Sequence, residues 1–220
     1  MIKVILIIIF TLFIFTIKGQ SIDKIYYLLG TQDDYLGRER FDNKYDIVIS
    51  LHESQFAEIE RIEEVTGLKF EKLEKQDNCS NCHEFFNLKS ENDVKIINSF
   101  YKFRKFDYLN YFPLRGTLKC RKLLKADENE KLSFIAGLFL FCGEMESNYY
   151  RISLANSPER FKCVEKVIIK LGSTIISKKK YHNIPNVYIL DFTPSERLKK
   201  IIDYEIERKK TLANKIPGSQ

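Results

Sequence analysis

The residues best suited to chemistry are five consecutive ones, Cys79-Ser80-Asn81-Cys82-His83. The C-x-x-C-H spacing is the pattern by which haem c is attached. Two thiols bond the porphyrin and the adjacent histidine becomes an iron ligand, so a second ligand would come from His52, His182 or Met145. Cys79, Cys82 and His83 are therefore the predicted cofactor-binding residues, with haem c as the candidate cofactor.

The same cysteines permit two other interpretations. An exported chain oxidises its thiols, but five cysteines cannot all pair within one chain. Cys79 and Cys82 either bond each other or one of them reaches Cys120, which leaves Cys142 and Cys163 as a second pair. A zinc site at Cys79 and Cys82 has the usual C-x₂-C spacing, although the second half of the usual ligand set is absent. Disulfide, haem and zinc all stay open.

The densest basic segment is Lys178-Lys179-Lys180-Tyr181-His182. Lysines beside an aromatic residue are typical of nucleic-acid contact. Acidic residues are interspersed along the chain, however, and its formal net charge is only +6. This balance predicts a solvated turn at Lys178–His182 and makes nucleic acid an unlikely partner.

The remaining polar residues form no catalytic motif. His52-Glu53 lacks the second histidine of a metalloprotease helix, and the chain contains neither G-x-S-x-G nor a phosphate-binding glycine loop. Glu144 and Glu146 are expected to be solvated, as is the Asp33-Asp34 pair. We therefore predict no catalytic and no dedicated metal-ligating residues.

An internal repeat provides the framework for these residues. The segment Ile49–Phe70 returns as Ile152–Ile175, and both copies run from Ile-Ser-Leu through a serine to a glycine. The aligned pairs are Phe56 with Phe161, Ile59 with Val164, Ile62 with Val167, Gly67 with Gly172, Phe86 with Leu190, Leu88 with Phe192, Val94 with Leu198 and Ile97 with Ile201. The repeat predicts an α+β fold of two tandem ββαββα units with a period of about 104 residues.

Within each unit the periodicity places the elements. Leu132–Phe141 is interpreted as the first strand of the second unit, while Ile25–Leu29 is either a strand or a helix end. Lys178–Pro185 is interpreted as a polar turn. Gly67 and Gly172 are predicted to end their helices in the left-handed conformation.

The N-terminus has the anatomy of a secretory signal peptide. An apolar run from Val4 to Ile17 follows Lys3 and precedes Gly19, and it is short for a membrane span. We expect cleavage after residue 19 and no stable membrane insertion afterwards. The predicted divisions are a signal peptide (1–19), a first repeat (20–110), a second repeat (111–213) and a flexible tail (214–220), in a secreted or periplasmic protein.

One segment resembles a known motif. Ile135-Ala136-Gly137-Leu138, with Gly143 six residues after Gly137, is similar to the LAGLIDADG motif of homing endonucleases, which also consist of two related α/β units. The resemblance implies a nucleic-acid protein. Leu140 and Cys142 stand where that family has its acidic residues. About 14 residues separate Gly143 from the next predicted helix, which predicts that the family's β-hairpin is absent.

Three functional hypotheses follow from the sequence. The main one is an exported, non-enzymatic protein that binds a protein partner as an inhibitor or immunity-type protein. The alternatives are a c-type haem or metal-binding protein centred on Cys79, Cys82 and His83, and a degenerate LAGLIDADG-like nucleic-acid protein.

Overall fold

The computed structural model describes residues 22–32, 34, 38–40, 49–52, 57–72, 83–105 and 114–213. Within these ranges the chain forms seven helices and ten strands in three antiparallel sheets, which confirms the predicted α+β class. None of the helices in the described ranges is long and apolar enough to cross a membrane. The predicted signal peptide, the tail and the boundary between residues 110 and 111 lie outside the described residues.

The elements fall into two series joined by a connecting segment. The first series is α1 (Lys24–Thr31), β1 (Arg38–Arg40), β2 (Ile49–His52), α2 (Ala57–Thr66), β3 (Phe70–Lys72), β4 (His83–Leu88) and α3 (Glu91–Asn98). The connecting segment contains β5 (Tyr101–Lys105), β6 (Leu114–Leu118) and α4 (Cys120–Lys125). The second series is α5 (Glu128–Cys142), β7 (Gly143–Met145), β8 (Tyr150–Ala155), α6 (Pro158–Lys170), β9 (Thr174–Tyr181), β10 (Val187–Thr193) and α7 (Glu196–Ala213).

Each series starts with a helix, so the predicted order ββαββα was wrong and the observed order is αββαββα. Helix α5 begins at a capping box of Asp127 and Glu130, and every residue from Leu132 to Leu140 is buried. A segment buried on all sides carries no polar stripe, so its periodicity does not distinguish a helix from a strand. Helix α1, which covers Ile25–Leu29, is started by Asp23, whose carboxylate accepts two amides of the first turn.

The sheets of the two series share three corresponding strands, with β2-β4-β3 in the first matching β8-β10-β9 in the second. The orders differ at the fourth strand, because β7 pairs with β8 whereas β1 pairs with β6. Ile49 pairs with Phe86 across β2 and β4, and Ile152 pairs with Leu190 across β8 and β10. In the same way, Phe70 pairs with Leu88, and Ile175 pairs with Phe192. The residues aligned from sequence alone therefore hold corresponding register positions in the two sheets.

The two helices of the sequence repeat, α2 and α6, turn the predicted faces to the core. Ile62 and Val167 are fully buried, as is Val164. Gly67 and Gly172 follow these helices with φ of 67° and 75°, which confirms the predicted left-handed ends. Both helices are therefore bounded and oriented as the apolar spacing predicts.

The connecting segment builds a third sheet, in the order β1-β6-β5. Its helix α4 is joined to α6 by a disulfide between Cys120 and Cys163, whose Cα atoms lie 5.4 Å apart. This pairing differs from the sequence-based alternative that paired Cys163 with Cys142, because the first residue of α4 packs directly on α6. Cys142 is half-buried and is not part of this disulfide.

Candidate functional site

The two central helices, α1 and α5, cross where each contributes a glycine. A Cβ atom on Gly30 would lie 2.1 Å from the carbonyl oxygen of Phe134, and one on Gly137 would lie 2.0 Å from that of Tyr27. Each contacted residue lies three positions before the glycine of its own helix, so the crossing is reciprocal. Backbone meets backbone at this crossing, and neither position accommodates a side chain.

A buried ion pair lies at the C-terminal end of α1. The guanidinium of Arg160 lies 2.7 Å from Asp34 Oδ2 and also donates to the carbonyl oxygens of Leu29 and Gly30. Tyr101 donates its hydroxyl to Asp34 Oδ1 at 3.0 Å. Burial, together with the nearby carboxylate, raises the pKa of the Tyr101 phenol above its usual range, so the phenol stays a donor. The expectation that Asp34 is solvated was therefore wrong, while Asp33 lies outside the described residues.

A second buried ion pair ties α1 and α2 to α7. Glu205 Oε2 accepts hydrogen bonds from Arg61 at 2.7 Å and from the Tyr27 hydroxyl at 2.9 Å. Burial, with the same carboxylate, raises the pKa of the Tyr27 phenol above its usual range. Both ion pairs hold helices together, and Glu205, Asp34 and Arg160 also line cavities at the surface.

The end of α5 carries no acidic side chain. Cys142 is its last residue and Leu140 is buried in the core. Within the described part of the chain, no three His, Cys, Asp or Glu side chains are grouped closely enough to hold a metal ion. Leu140 and Cys142 therefore offer no carboxylate to a divalent cation, while Glu144, Glu146 and Glu205 line the cavity beside Leu140.

A hairpin follows α5 directly, which corrects the expectation that its linker is too short for one. Strand β7 starts at Gly143 and pairs antiparallel with β8. The turn is closed by a hydrogen bond from the amide of Glu146 to the carbonyl oxygen of Tyr149. The strands are short and the turn is tight, so a β-hairpin fits in the available length.

One face of the second sheet packs on helices. The opposite face, called the open face below, carries a charged network. Arg151 donates to Asp191 Oδ1 at 2.8 Å and to Glu146 Oε1 at 2.9 Å, and its guanidinium also bonds Tyr149. Ser177 donates to the other carboxylate oxygen of Asp191. Burial alone would raise the pKa of Asp191, but the bonds from Arg151 and Ser177 keep it below its usual value. Asp191 is therefore ionised and fixes the guanidinium of Arg151 on this face.

The basic segment Lys178–His182 lies on this sheet, and most of it is strand rather than turn. Strand β9 extends to Tyr181 because it pairs with β10 along its whole length. As the edge strand, β9 exposes the side chains from Lys178 to Tyr181, and His182, just beyond its end, is also exposed. Lys179 lies 3.6 Å from Asp191, whereas Lys178 bonds Glu165 on the helix-covered side. Cations therefore line both sides of one sheet edge.

The predicted cofactor residues are placed only in part. Cys79 and Cys82 lie outside the described residues. His83 is the first residue of β4 and pairs directly with His52 in β2. The other two predicted ligands are exposed and lie in the second series. Met145 is at the end of β7, and His182 follows β9.

Sequence reasoning missed Arg151 and Asp191. The alternation of β8 contained the signal, because Tyr150, Ile152 and Leu154 are buried and the residues between them face the other side. Applied to the strand in full, that alternation places Arg151 on the open face. Asp191 interrupts a buried strand, and in such a strand an acidic residue requires a partner.

Comparisons with known proteins give structural likenesses only. No protein-family model and no curated protein matches the chain. Similar solved structures include mesophilic variants of the homing endonuclease I-DmoI, with 14% identity and a TM-score of 0.48, covering 82% of this chain and 87% of that chain. I-DmoI in complex with DNA and Ca has 18% identity and a TM-score of 0.32, covering 82% and 86%. I-DmoI in complex with DNA and Mn has 16% identity and a TM-score of 0.31, covering 90% and 97%.

These likenesses contradict two expectations from sequence. The main hypothesis of an inhibitor or immunity-type protein was wrong, and so was the expectation that nucleic acid is an unlikely partner, because the similar structures are those of a homing endonuclease, two of them with DNA. The LAGLIDADG-like alternative is the hypothesis that agrees with them. At TM-scores below 0.5 the likenesses do not decide the function of this chain, so the case for nucleic acid depends on its own side chains.

Proposed function

We propose that this chain binds nucleic acid without cutting it. The observation that carries the proposal is the edge of the second sheet, where Lys178, Lys179 and Lys180 are exposed beside Tyr181 and His182. Lysines supply the phosphate contacts on which affinity for nucleic acid mostly depends. An exposed aromatic ring within the same strand adds a surface on which an unpaired base stacks.

The open face beside this edge adds a positioned cation. Arg151 is held by Asp191, Glu146 and Tyr149, so its guanidinium has lost most of its freedom before any ligand arrives. A preorganised guanidinium binds a phosphate at less entropic cost than a mobile one. The carboxylates around Arg151 lower the net positive charge, so the lysines of β9 supply the attraction and Arg151 supplies orientation.

The absence of cutting is inferred from the ends of the two central helices. In the LAGLIDADG resemblance, Leu140 and Cys142 replace the acidic residues of the motif. At the end of α1, both oxygens of Asp34 are engaged by Arg160 and Tyr101. A carboxylate bound in this way is not available to a divalent cation without breaking a buried ion pair.

We also propose that the two series are copies of one duplicated unit with a period of about 104 residues. Three independent features support this: the shared register of the two sheets, the left-handed glycines after α2 and α6, and the reciprocal glycines of α1 and α5. A duplicated unit with one helix of each copy at the centre places two sheets on a single chain.

Binding is tested by fluorescence anisotropy on labelled duplex and single-stranded DNA over a range of salt concentrations. The variant Lys178→Gln/Lys179→Gln/Lys180→Gln is expected to bind at least about tenfold more weakly near 0.1 M salt. The slope of log affinity against log salt should fall by about 2 to 3, since each phosphate contact contributes about 0.9. The matched control, Arg197→Gln/Lys200→Gln/Lys210→Gln, removes three exposed charges from α7 and should leave both quantities nearly unchanged.

Two results would contradict the proposal. One is the lack of binding by the unaltered chain at low salt, which removes nucleic acid as a ligand. The other is cleavage of the bound DNA when Mg²⁺ or Mn²⁺ is added, which shows that carboxylates elsewhere in the chain suffice for catalysis.

A second candidate function is favoured by the register of β2 and β4. In the register of these two strands, His52 is the partner of His83. Cys82 precedes His83 in the chain, and Cys79 completes the C-x-x-C spacing. We propose that His52 would join Cys79, Cys82 and His83 in holding a zinc ion.

Metal analysis and an absorption spectrum of exported protein test this proposal. About one zinc per chain is expected, and His52→Ala should reduce zinc binding strongly because one of four ligands is removed. A haem absorption band would instead contradict the zinc site. The control His182→Ala alters an exposed histidine away from the β2–β4 pair and should have no effect. A protein with neither metal nor haem would show that the pair is structural.

We propose export as the cellular setting, with residues 1–19 as the signal peptide. The disulfide between Cys120 and Cys163 supports this setting, because such bonds persist in oxidising compartments. Intact-mass measurement of the secreted protein should show loss of the first 19 residues, and a mass that retains them would contradict cleavage there.

A further inference from the structure

The positive charge of the chain is concentrated in the connecting segment. Residues 101–125 contain eight basic residues and one acidic residue, Asp107, so this segment has a net charge of +7 in a chain whose total is +6. The basic residues are Lys102, Arg104, Lys105, Arg115, Lys119, Arg121, Lys122 and Lys125. The other residues of the chain together carry a charge of −1, so the interspersed acidic residues noted in the sequence do not extend to this segment.

The third sheet displays part of this charge on one face. Lys102 and Arg104 alternate with the buried Tyr101, and both are exposed. Arg104 is directly opposite Arg115, and Lys102 is directly opposite the exposed Thr117. Like charges in directly opposite positions destabilise a sheet. The described strands of this sheet contain a single acidic residue, Glu39. It is the register partner of Arg115 in the neighbouring strand β1.

Helix α4 continues the charged face beyond β6. Arg121, Lys122 and Lys125 are exposed, while Leu123 is fully buried and the Cys120–Cys163 disulfide fixes the start of the helix. Lys122 donates to the Ser99 hydroxyl, and burial with the nearby Lys119 lowers the pKa of the Lys122 ammonium. Lys119 and Lys122 therefore repel each other on a fixed support, and an anion bound beside them would relieve the repulsion.

The chemistry of this surface indicates the kind of ligand. Tyr101 and Phe100 are buried, so the described residues at the exposed positions of β5, β6 and α4 include no aromatic ring on which a base would stack. Lysine and arginine without aromatic residues bind the phosphate backbone and do not read bases. A regular array of phosphates, such as a duplex presents, matches several cations fixed on a sheet and a helix.

We propose that the connector surface, defined as Lys102, Arg104, Arg115, Lys119, Arg121, Lys122 and Lys125, is a second binding surface for the phosphate backbone of a nucleic-acid duplex. The inference rests on the proposed nucleic-acid function and adds a separate contact to the β9 edge. The connector surface contributes affinity without sequence preference, because all its contacts are to phosphates.

The test uses the full chain and a labelled duplex in the anisotropy assay. The variant Lys102→Gln/Arg104→Gln/Arg121→Gln removes three exposed cations, and we expect at least about tenfold weaker binding near 0.1 M salt with a slope lower by about 2 to 3. The loss should be equal on two duplexes of unrelated sequence. The α7 triple variant is again the control, and thermal unfolding of each variant confirms that it is folded.

The outcomes separate this inference from the proposed function. If the unaltered chain does not bind, the proposed function fails and the inference fails with it. If the β9 variant binds more weakly and the folded connector variant binds normally, the connector surface alone is overturned. If the connector variant loses duplex binding, the inference stands whatever the β9 variant does. Tighter binding of the unaltered chain to vesicles of anionic lipid than to duplex, lost in the connector variant, would assign the surface to membranes and overturn it.

Discussion

Replacing Arg160 with methionine is expected to lower the free energy of unfolding by about 3–5 kcal/mol, because it leaves a buried carboxylate without its cation. Arg160 is 2% exposed and Asp34 is 5% exposed, so water replaces little of the lost interaction. The substitution also frees the carbonyl oxygens of Leu29 and Gly30, which end α1. Chemical denaturation followed by circular dichroism measures the change.

Two further variants show whether the buried charge causes this loss. Arg160→Met/Asp34→Leu removes both charges and should recover much of the stability, since apolar pairs often replace buried ion pairs at little cost. Arg151→Met should cost less than Arg160→Met, because Lys179 and Ser177 still contact the buried Asp191 carboxylate and Arg151 is itself partly exposed. A loss below about 1 kcal/mol for Arg160→Met itself would mean that Asp34 finds another partner or takes up a proton.

Local and pairwise features of the fold were accessible from the sequence. Gly67 and Gly172 end their helices as predicted, because a left-handed residue after an apolar stripe has few substitutes for glycine. The alignment of Phe86 with Leu190 also holds in the sheets, since alternation fixes which residues share a face. The interpretation of Leu132–Phe141 as a strand was wrong because this segment is buried on every side. Without polar positions, its sequence shows neither the helical nor the strand period.

The functional surfaces were less accessible because they depend on partners distant in the chain. Whether Lys178–His182 is a turn or a strand is decided by β10, which supplies the hydrogen bonds for β9. The role of Asp34 is set by Arg160, which lies far along the sequence. The excess of basic residues in 101–125 is present in the sequence, but it was missed because only the net charge of the whole chain was weighed and charges were not counted segment by segment.

The second large effect is expected at the crossing of α1 and α5, where backbone contacts backbone. Gly137→Ala places a methyl group where the carbonyl oxygen of Tyr27 already lies, at 2.0 Å. Since the obstacle is backbone, the helices have to separate, and the ion pairs at the end of α1 move with them. We expect a loss of at least about 3 kcal/mol in the free energy of unfolding, the upper end for over-packed cores.

Gly30 and Gly137 contact each other's helix in the same way, so substitutions at the two positions should have related effects. Gly30→Ala should cost about as much as Gly137→Ala, because its methyl group meets the Phe134 carbonyl oxygen at 2.1 Å. The double variant should cost clearly less than the sum, since helices already pushed apart accommodate the second methyl group. Gly67→Ala is the control: nothing lies within 4 Å of its added atom, so only the left-handed backbone is strained, at roughly 1–2 kcal/mol. Strict additivity of the two central substitutions in urea denaturation would show that the two glycines do not share one contact.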